Sequence, residues 1–297
     1  MAITLADVEA ALSKERTYVP GHYNDRDTLL YNVAVGMGRD PLDENELPYV
    51  CESIGDKVLP TAATTIAKPV KTGNAPAPTA GQLLMAKMNF AMLLHGEQRL
   101  QIHQPIPQAA ETLISNAVTG VYDKGDNKGA LVINETSVKL SDGAPLYTTS
   151  STLFFRADGG FGGSSEGAPV PHVLPEREPD VVCEMPGRVD QAVIYALCGD
   201  RNPLHRDPNF AKAAGFDVPI LHGLCSYGIA CHAVVKTMLD YDQTQITGFD
   251  VRFSAPVFPG ETQIIEMWKD DKVISFRARV KERDVIAINN GRCTIKK

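Results

Sequence analysis

A carboxylate and an imidazole lie five residues apart in a short polar segment of the carboxyl-terminal half. The segment Gly199-Asp200-Arg201-Asn202-Pro203-Leu204-His205 follows an apolar run at helical spacing. Glycine is common at helix ends and Asn-Pro favours a turn, so the chain should double back between Asp200 and His205. The two side chains could then hold one water molecule and move its protons. The same residues could also form only a polar loop with an Asx turn.

A second motif, Pro219-Ile220-Leu221-His222-Gly223, precedes a long apolar segment. One helical face of that segment carries Leu224, Tyr227, Cys231, Val234 and Met238. Gly223 would place a backbone N–H at the positive end of this helix, where it could stabilise an oxyanion. An acid–base pair followed closely by an oxyanion donor favours catalysis over a simple polar loop.

These motifs resemble the signature of the MaoC-like hydratase 2 family, the (R)-specific 2-enoyl-CoA hydratases. The resemblance is strongest to the hydratase domain of the peroxisomal multifunctional enzymes of type 2. It rests on residues 199–205, Asp207-Pro208, Ala214-Gly215-Phe216 and residues 221–225. It extends over nearly the whole chain through His95-Gly96-Glu97-Gln98, Asp123-Lys124-Gly125, residues 159–163 and Glu266-Met267-Trp268-Lys269.

The resemblance implies a double hot-dog fold of the α+β class, with two long central helices, each wrapped by an antiparallel β-sheet. It implies a hydro-lyase that reversibly hydrates trans-2-enoyl-CoA to (3R)-3-hydroxyacyl-CoA, and the stereochemistry rests on the resemblance alone. Because the thioester itself accepts the electron pair, we expect no metal and no redox cofactor, and CoA is part of the substrate.

The resemblance also implies roles for individual residues. Asp200 and His205 are expected to be the catalytic pair, with Asn202 orienting them and the Gly223 amide polarising the thioester carbonyl. Further substrate contacts are expected from His95, Gly96, Lys124, Arg201, Pro203, Leu204 and Phe253. Lys124 could place a point charge beside a CoA phosphate, whereas Phe253 could equally be core or acyl-tunnel wall.

The elements that position these residues occur twice along the chain. In the first half, one helical face carries Leu83, Ala86, Phe90 and Leu93, which predicts a second long helix. Alternating segments predict strands over residues 113–122, 130–140 and 146–156 and again over 263–268, 273–280 and 285–295. Turns are predicted at residues 124–126, 141–143 and 270–271. The repetition indicates two α+β units, each with a helix buried by a curved sheet.

Aligning the two halves indicates that only one of them is catalytic. When Tyr31 is set against Tyr195, Gly36 pairs with Gly199, and Met37 takes the place of Asp200. After one gap, Asp43 takes the place of His205. We therefore expect one active site per chain and a first half that receives the acyl chain and part of CoA.

The predicted division of the chain is residues 1–158, a linker at 159–179, and residues 180–297. The linker begins with Gly159-Gly160-Phe161-Gly162-Gly163 and is rich in Gly, Ser and Pro. This run lacks the strand–helix context and the Gly-Lys-Ser/Thr ending of a phosphate-binding loop. We therefore interpret it as a linker or packing turn.

Composition excludes several classes of protein. The 297 residues carry 29 Lys+Arg against 36 Asp+Glu, a net charge of −7, which argues against general binding to nucleic acid or anionic membranes. No apolar run reaches the roughly 20 residues that a bilayer span needs. Six scattered cysteines without a Cys-x-x-Cys pair are typical of free thiols in an intracellular protein. We expect a cytoplasmic or peroxisomal location without a recognisable targeting signal, and a homodimer is a further possibility.

Two other functions remain open from the sequence. A dehydratase that acts on acyl-carrier-protein thioesters would use the same chemistry on a protein-bound substrate. A non-catalytic acyl-binding hot-dog protein would need the fold but not the acid–base pair, so Asp200 and His205 argue against it.

Overall fold

The protein is built around a single antiparallel sheet. The structure is a computed structural model that describes residues 3–12, 16–70 and 78–296. Within these residues the sheet has eleven strands in the order β2-β1-β4-β5-β6-β3-β8-β11-β10-β9-β7. The strands are β1 (Val19–Tyr23), β2 (Lys68–Pro69), β3 (Leu93–Ile102), β4 (Ala110–Asp123), β5 (Ala130–Leu140), β6 (Pro145–Phe155), β7 (Val181–Met185), β8 (Ile246–Phe253), β9 (Gln263–Asp270), β10 (Val273–Val280) and β11 (Val285–Ile295).

The strand order confirms the internal repeat. From the central pair outward, β3, β6, β5, β4 and β1 on one side match β8, β11, β10, β9 and β7 on the other. β3 and β8 join the halves through pairs such as Gln98 with Val251. The predicted turns are also present, and Gly125, Gly143 and Asp271 adopt positive φ there.

Seven helices lie among the described residues, and none combines the length and apolarity that a membrane crossing requires. They are α1 (Leu5–Ala11), α2 (Asp25–Ala34), α3 (Leu47–Val50), α4 (Ala80–Ala86), α5 (Gln191–Ala196), α6 (Pro208–Ala213) and α7 (Gly223–Met238). Short 3-10 helices cover Pro60–Thr64, Phe90–Met92, Pro203–His205 and Gln243–Gln245. All six cysteines lie in the described residues and are free thiols, as predicted.

The long helix α7 forms the centre of the main core. Every residue from Cys225 to Val235 is buried, so α7 is covered on all sides, as its all-round apolar sequence predicts. Strands from both halves contribute to the same core, with Phe249 and Phe276 from the second half and Leu100 and Tyr147 from the first. A smaller core joins α1 and α4 to the first half of the sheet.

The prediction of a second long helix in the first half is wrong. α4 ends at Ala86, and Leu93 already belongs to β3. β3 pairs with β6 on one side and β8 on the other, so hydrogen bonding within the sheet outweighs the helical spacing of its first residues. Instead, the 3-10 helix Pro60–Thr64 contacts α7 from the first half.

Residues 156–180 connect the halves without a helix or strand. The glycine run inside this segment packs on the end of β4. Asp123 accepts hydrogen bonds from the N–H groups of Gly160, Gly162 and Gly163, at 2.8, 2.8 and 3.2 Å. These N–H groups bind a carboxylate of the same chain, which agrees with the interpretation of the glycine run as a packing turn. The division into domains stays a prediction.

Candidate active site

The polar segment after α5 doubles back, as its sequence predicts. Gly199 adopts a φ of +136°, which favours glycine. Asp200 Oδ1 accepts a hydrogen bond from the N–H of Asn202 at 3.1 Å. Asn202 Oδ1 in turn accepts one from the N–H of Leu204, also at 3.1 Å. Asn202 thus shapes the turn that leads into the 3-10 helix Pro203–His205.

This turn brings the predicted pair together and adds a third side chain. One ligand atom each from Asp200, His205 and His222 lies within 4.8 Å of the other two. A cluster of this size could hold a metal ion in principle. Each histidine directs one ring nitrogen at a backbone carbonyl and leaves the other nitrogen available to accept a proton.

The hydrogen bond of His205 defines which of its nitrogens can act as a base. His205 Nδ1 lies 2.9 Å from the carbonyl oxygen of Ile220. Because a carbonyl only accepts, Nδ1 must carry the proton and the neutral ring presents a lone pair at Nε2. Burial lowers the pKa of His205, while the bond to Ile220 and the charge of Asp200 oppose that shift. The ring is therefore kept in its basic, neutral form.

Gly223 is the first residue of α7 and lies next to this cluster in the chain. Helical hydrogen bonding begins with the N–H groups of Cys225 and Ser226, which bind the carbonyl of His222. The Gly223 N–H therefore lies outside the helical pattern, at the positive end of the helix. A Cβ at Gly223 would lie 3.2 Å from Cε1 of Phe253, so glycine fits closely against this ring.

The first half of the chain contributes β3 to the same site. The ring of His95 contacts that of Phe253 edge to face, with centroids 5.0 Å apart. Burial lowers the pKa of His95, and hydrogen bonds with Glu97 and Gln98 and the charge of Asp200 partly counteract this shift. Gly96 lies at a bulge where the pairing of β3 with β6 shifts by one residue. Four predicted site residues from separate parts of the chain thus lie next to one another: His95, Gly96, Phe253 and Gly223.

The remaining predicted contacts lie farther out. Arg201 and Pro203 are exposed in the turn, and Leu204 is half-buried. Lys124 is exposed in the turn after β4. Strand pairing separates that turn from the start of β3 by three strand spacings, roughly 15 Å. Lys124 is therefore not part of the cluster and could meet only a distant part of a long substrate.

The corresponding region of the first half lacks the pair but keeps the backbone. Gly36 has a φ of +100° and Gly199 has one of +136°, so both glycines adopt a positive φ. Met37, the counterpart of Asp200, is buried in the core. Asp43 lines a cavity of about 230 Å³. Beside this cavity, Glu46 and His232 form a buried pair at 3.0 Å, which the sequence did not reveal. Burial would raise the pKa of Glu46, but hydrogen bonds and the charge of His232 lower it to about 2.

Sequence reasoning missed one neighbour of the site, Lys68, and the contacts of another, His222. The sequence favours a supporting role over a catalytic one for His222, but its contacts with Asp200 and His205 depend on tertiary folding. Lys68 on the edge strand β2 lies beside Gly199, so that a Cβ there would be 3.7 Å from the Lys68 ammonium. No spacing in the sequence connects Lys68 with residue 199.

Comparison with known proteins gives matches along most of the chain. Residues 172–291 match the family model described as MaoC like domain, and residues 22–157 match the MFE-2 hydratase 2 N-terminal domain. The chain is 36% identical over 285 residues to enoyl-CoA hydratase ChsH3 of Mycobacterium tuberculosis, covering 96% of this chain and 97% of that protein. It is 37% identical over 276 residues to the peroxisomal enoyl-CoA hydratase 2 of Arabidopsis thaliana, covering 88% and 87%.

Solved structures agree with the architecture. A MaoC-like dehydratase from Phytophthora capsici superposes with a TM-score of 0.84 at 32% identity, covering 98% of this chain and 99% of that one. A Mycobacterium tuberculosis protein described as a double hotdog fold superposes at 0.55 with 14% identity, covering 99% and 98%. The predicted double hot-dog fold of the α+β class is therefore confirmed, with one long helix in place of two.

Proposed function

Since the chain belongs to the MaoC-like hydratase 2 family, we propose that it is a hydro-lyase that reversibly hydrates trans-2-enoyl-CoA to (3R)-3-hydroxyacyl-CoA. The observation that carries the proposal is the meeting of the Asp200 carboxylate and the His205 imidazole beside the first amide of α7. Both groups can accept a proton from water, and the amide can stabilise negative charge.

In the hydration direction, a water molecule between Asp200 and His205 attacks C3 of the substrate. His205 Nε2 accepts a proton from this water as the new C–O bond forms, because its other nitrogen is committed to Ile220. The electron pair of the double bond moves into the thioester and gives an enolate-like oxygen. The Asp200–His205 pair then returns a proton to C2, so the product has gained one water and the pair is unchanged.

The Gly223 N–H is the donor to the enolate-like oxygen. Its N–H lies outside the helical hydrogen bonding and the residue is exposed, so a thioester carbonyl can approach it. Removing one such donor from an enzyme typically raises the barrier by about 3–4 kcal/mol. Phe253 packs against Gly223 and His95, and forms a wall on which the acyl part can lie.

Each chain has one active site, and its two halves have different tasks. The second half, residues 180–297, supplies the acid–base pair, whereas the first half, residues 1–158, receives the acyl chain and part of CoA. The burial of Met37 supports this division, because an apolar side chain stands where the first half would need its carboxylate. Arg201 and Lys124 contact the charged part of CoA.

The wider setting follows from the same proposal. The substrate is an acyl-CoA thioester of fatty-acid β-oxidation, and no cofactor is required beyond the substrate's own CoA. The compartment is the cytoplasm or the peroxisome, and the peroxisomal relative of Arabidopsis thaliana supports the second. The protein acts without nucleic acid, and pairing into a homodimer is part of the proposal.

The test follows the ultraviolet band of the conjugated thioester across enoyl-CoAs of increasing chain length, with chiral analysis of the product. We expect loss of the band and a (3R) product with the wild type. Asp200→Asn should lower kcat by roughly 10²–10⁴-fold with little change in KM. The matched control Asp142→Asn alters an exposed turn carboxylate that bonds only to a nearby N–H and should keep wild-type activity.

The same assay decides between the alternatives. Turnover of carrier-protein thioesters without turnover of acyl-CoA would replace the proposal with a carrier-protein dehydratase. Binding of acyl-CoA without any turnover would indicate a non-catalytic acyl-binding protein. A (3S) product would contradict the assigned stereochemistry while leaving the hydratase activity in place.

A further inference from the structure

His222 lies beneath the catalytic pair and takes no part in the proton transfers above. The side chain is buried, with 1% of its surface exposed. Its Nε2 lies 3.0 Å from the backbone carbonyl oxygen of Asp200. Because this carbonyl only accepts, Nε2–H is the donor and His222 is held in one tautomer.

The ring of His222 also supports the ring of His205. The two imidazoles stack with centroids 3.8 Å apart and an interplanar angle of 29°. His222 also contacts Tyr195, with ring centroids 4.9 Å apart, and Tyr195 contacts Tyr31 at 6.1 Å. Both tyrosines are fully buried, so the ring under His205 is fixed by the core of the molecule.

The loop that carries Asp200 has few other attachments to the core. Residues 199–203 are all exposed, and the hydrogen bonds of Asp200 and Asn202 side chains are local to the loop. The bond from His222 to the Asp200 carbonyl joins this loop to the start of α7. His222 also immediately precedes Gly223, so one residue adjoins the carboxylate, the imidazole and the amide.

We propose that His222 is a positioning residue that sets the separation of the Asp200 carboxylate and the His205 imidazole and aligns both with the Gly223 amide. Its kinetic consequence rests on the proposed hydratase function. A buried side chain that only filled space would need neither the N–H directed at Asp200 nor the parallel contact with His205.

The charge state of His222 suits this role. Burial and the neighbouring His205 lower the pKa of His222 to about 4. The titratable and charged groups that face the two rings are Asp200, Arg206, Tyr195 and each other, and near neutral pH both imidazoles are uncharged. They can therefore stack without repulsion between two positive charges.

Two substitutions separate the two contacts. His222→Gln keeps an amide N–H near the position of Nε2 but removes the ring, whereas His222→Phe keeps a flat ring but removes the donor. The matched control is His232→Gln, which alters another buried histidine of α7 that is bonded to Glu46 and lies outside the site. All variants are compared per folded molecule, with melting temperature measured in parallel.

We expect His222→Phe to lower kcat by about tenfold or more with KM changed less than about threefold, because the backbone carbonyl of Asp200 loses its donor. His222→Gln should recover most of kcat. Without the ring that excludes water from His205, the acid limb of its pH profile should move upward. His232→Gln should lower the melting temperature only. Equal kcat in all three variants and the wild type would overturn the proposal, as would an unchanged pH profile in His222→Gln.

A readout without substrate separates this proposal from the hydratase function. Nitrogen-15 spectra of labelled histidines, assigned with His205→Gln, should give a single Nδ1–H tautomer for His205 in the wild type. Tautomer exchange of His205 is expected in His222→Phe and not in His232→Gln. An unchanged His205 signal in His222→Phe would overturn the positioning role even in a protein that hydrates enoyl-CoA. If no thioester is turned over, the proposed function is wrong, and the spectra still test whether His222 positions His205.

Discussion

At the scale of single residues, the chemistry depends on which nitrogen of His205 is free. Gly199 and Asn202-Pro203 are local signals, so the turn that brings Asp200 towards His205 could be predicted from the sequence. The carbonyl of Ile220, which orients the His205 ring, lies 15 residues farther along the chain. His222, which binds the carbonyl of Asp200, lies 22 residues beyond Asp200. Only tertiary folding brings these partners together, so the pair could be predicted from the sequence but its orientation could not.

The pH dependence of hydration follows from the partly buried position of His205. His205 acts as a base when neutral, and burial moves its pKa below the ordinary value of 6.5. Protonation of the folded enzyme is thus disfavoured, and the base stays available at lower pH than an exposed histidine would. We expect kcat/KM to fall on the acid side with an apparent pKa below 6.5, measured between about pH 4.5 and 8. A midpoint at or above that value would contradict a neutral base whose pKa is lowered by partial burial.

At the scale of elements, periodicity predicted the strands better than the helices. The alternating segments of both halves became β4–β6 and β9–β11 because each has one face against a core and hairpin turns that fix its neighbours. The helical spacing from Leu83 to Leu93 produced only the short helix α4 and not one long helix, because β3 is needed between β6 and β8. Because β8 belongs to the other half of the chain, the residues around Leu93 carry no local signal of this pairing.

The start of α7 depends on glycine at position 223 because Phe253 leaves little room there. Gly223→Ala would place a Cβ 3.2 Å from the Phe253 ring, which must shift. We expect the free energy of unfolding to fall by about 1 kcal/mol, as for other overpacked sites. In a Phe253→Leu background the same substitution should have a smaller effect, measured by urea denaturation. An equal loss in both backgrounds would contradict the close fit between α7 and β8.

At the scale of the whole molecule, two repeats form one sheet around one helix. α7 from the second half contacts the 3-10 helix Pro60–Thr64 of the first, and β3 pairs directly with β8. The site also draws on both halves, with His95 from the first and Asp200 from the second. The repeat in the sequence predicted two units, but it could not reveal that they share one long helix.

Neither half should therefore work alone. A fragment of residues 180–297 would expose the face of α7 that the first half covers, so we expect it to lack cooperative unfolding and hydratase activity. Produced together with a fragment of residues 1–179, it should assemble and regain activity, measured by co-purification and by the enoyl-CoA assay. Independent folding and turnover by residues 180–297 would show that the first half is dispensable.

The most direct measurement of the central claim is a double-mutant cycle on the two groups that share the water. Asp200→Asn, His205→Gln and the double variant are compared by kcat for enoyl-CoA hydration, with folding checked by circular dichroism. Since groups that act as a unit are strongly non-additive, the double variant should be no slower than the slower single variant. Losses that multiply in the double variant, or near-full activity of Asp200→Asn, would contradict a shared catalytic pair.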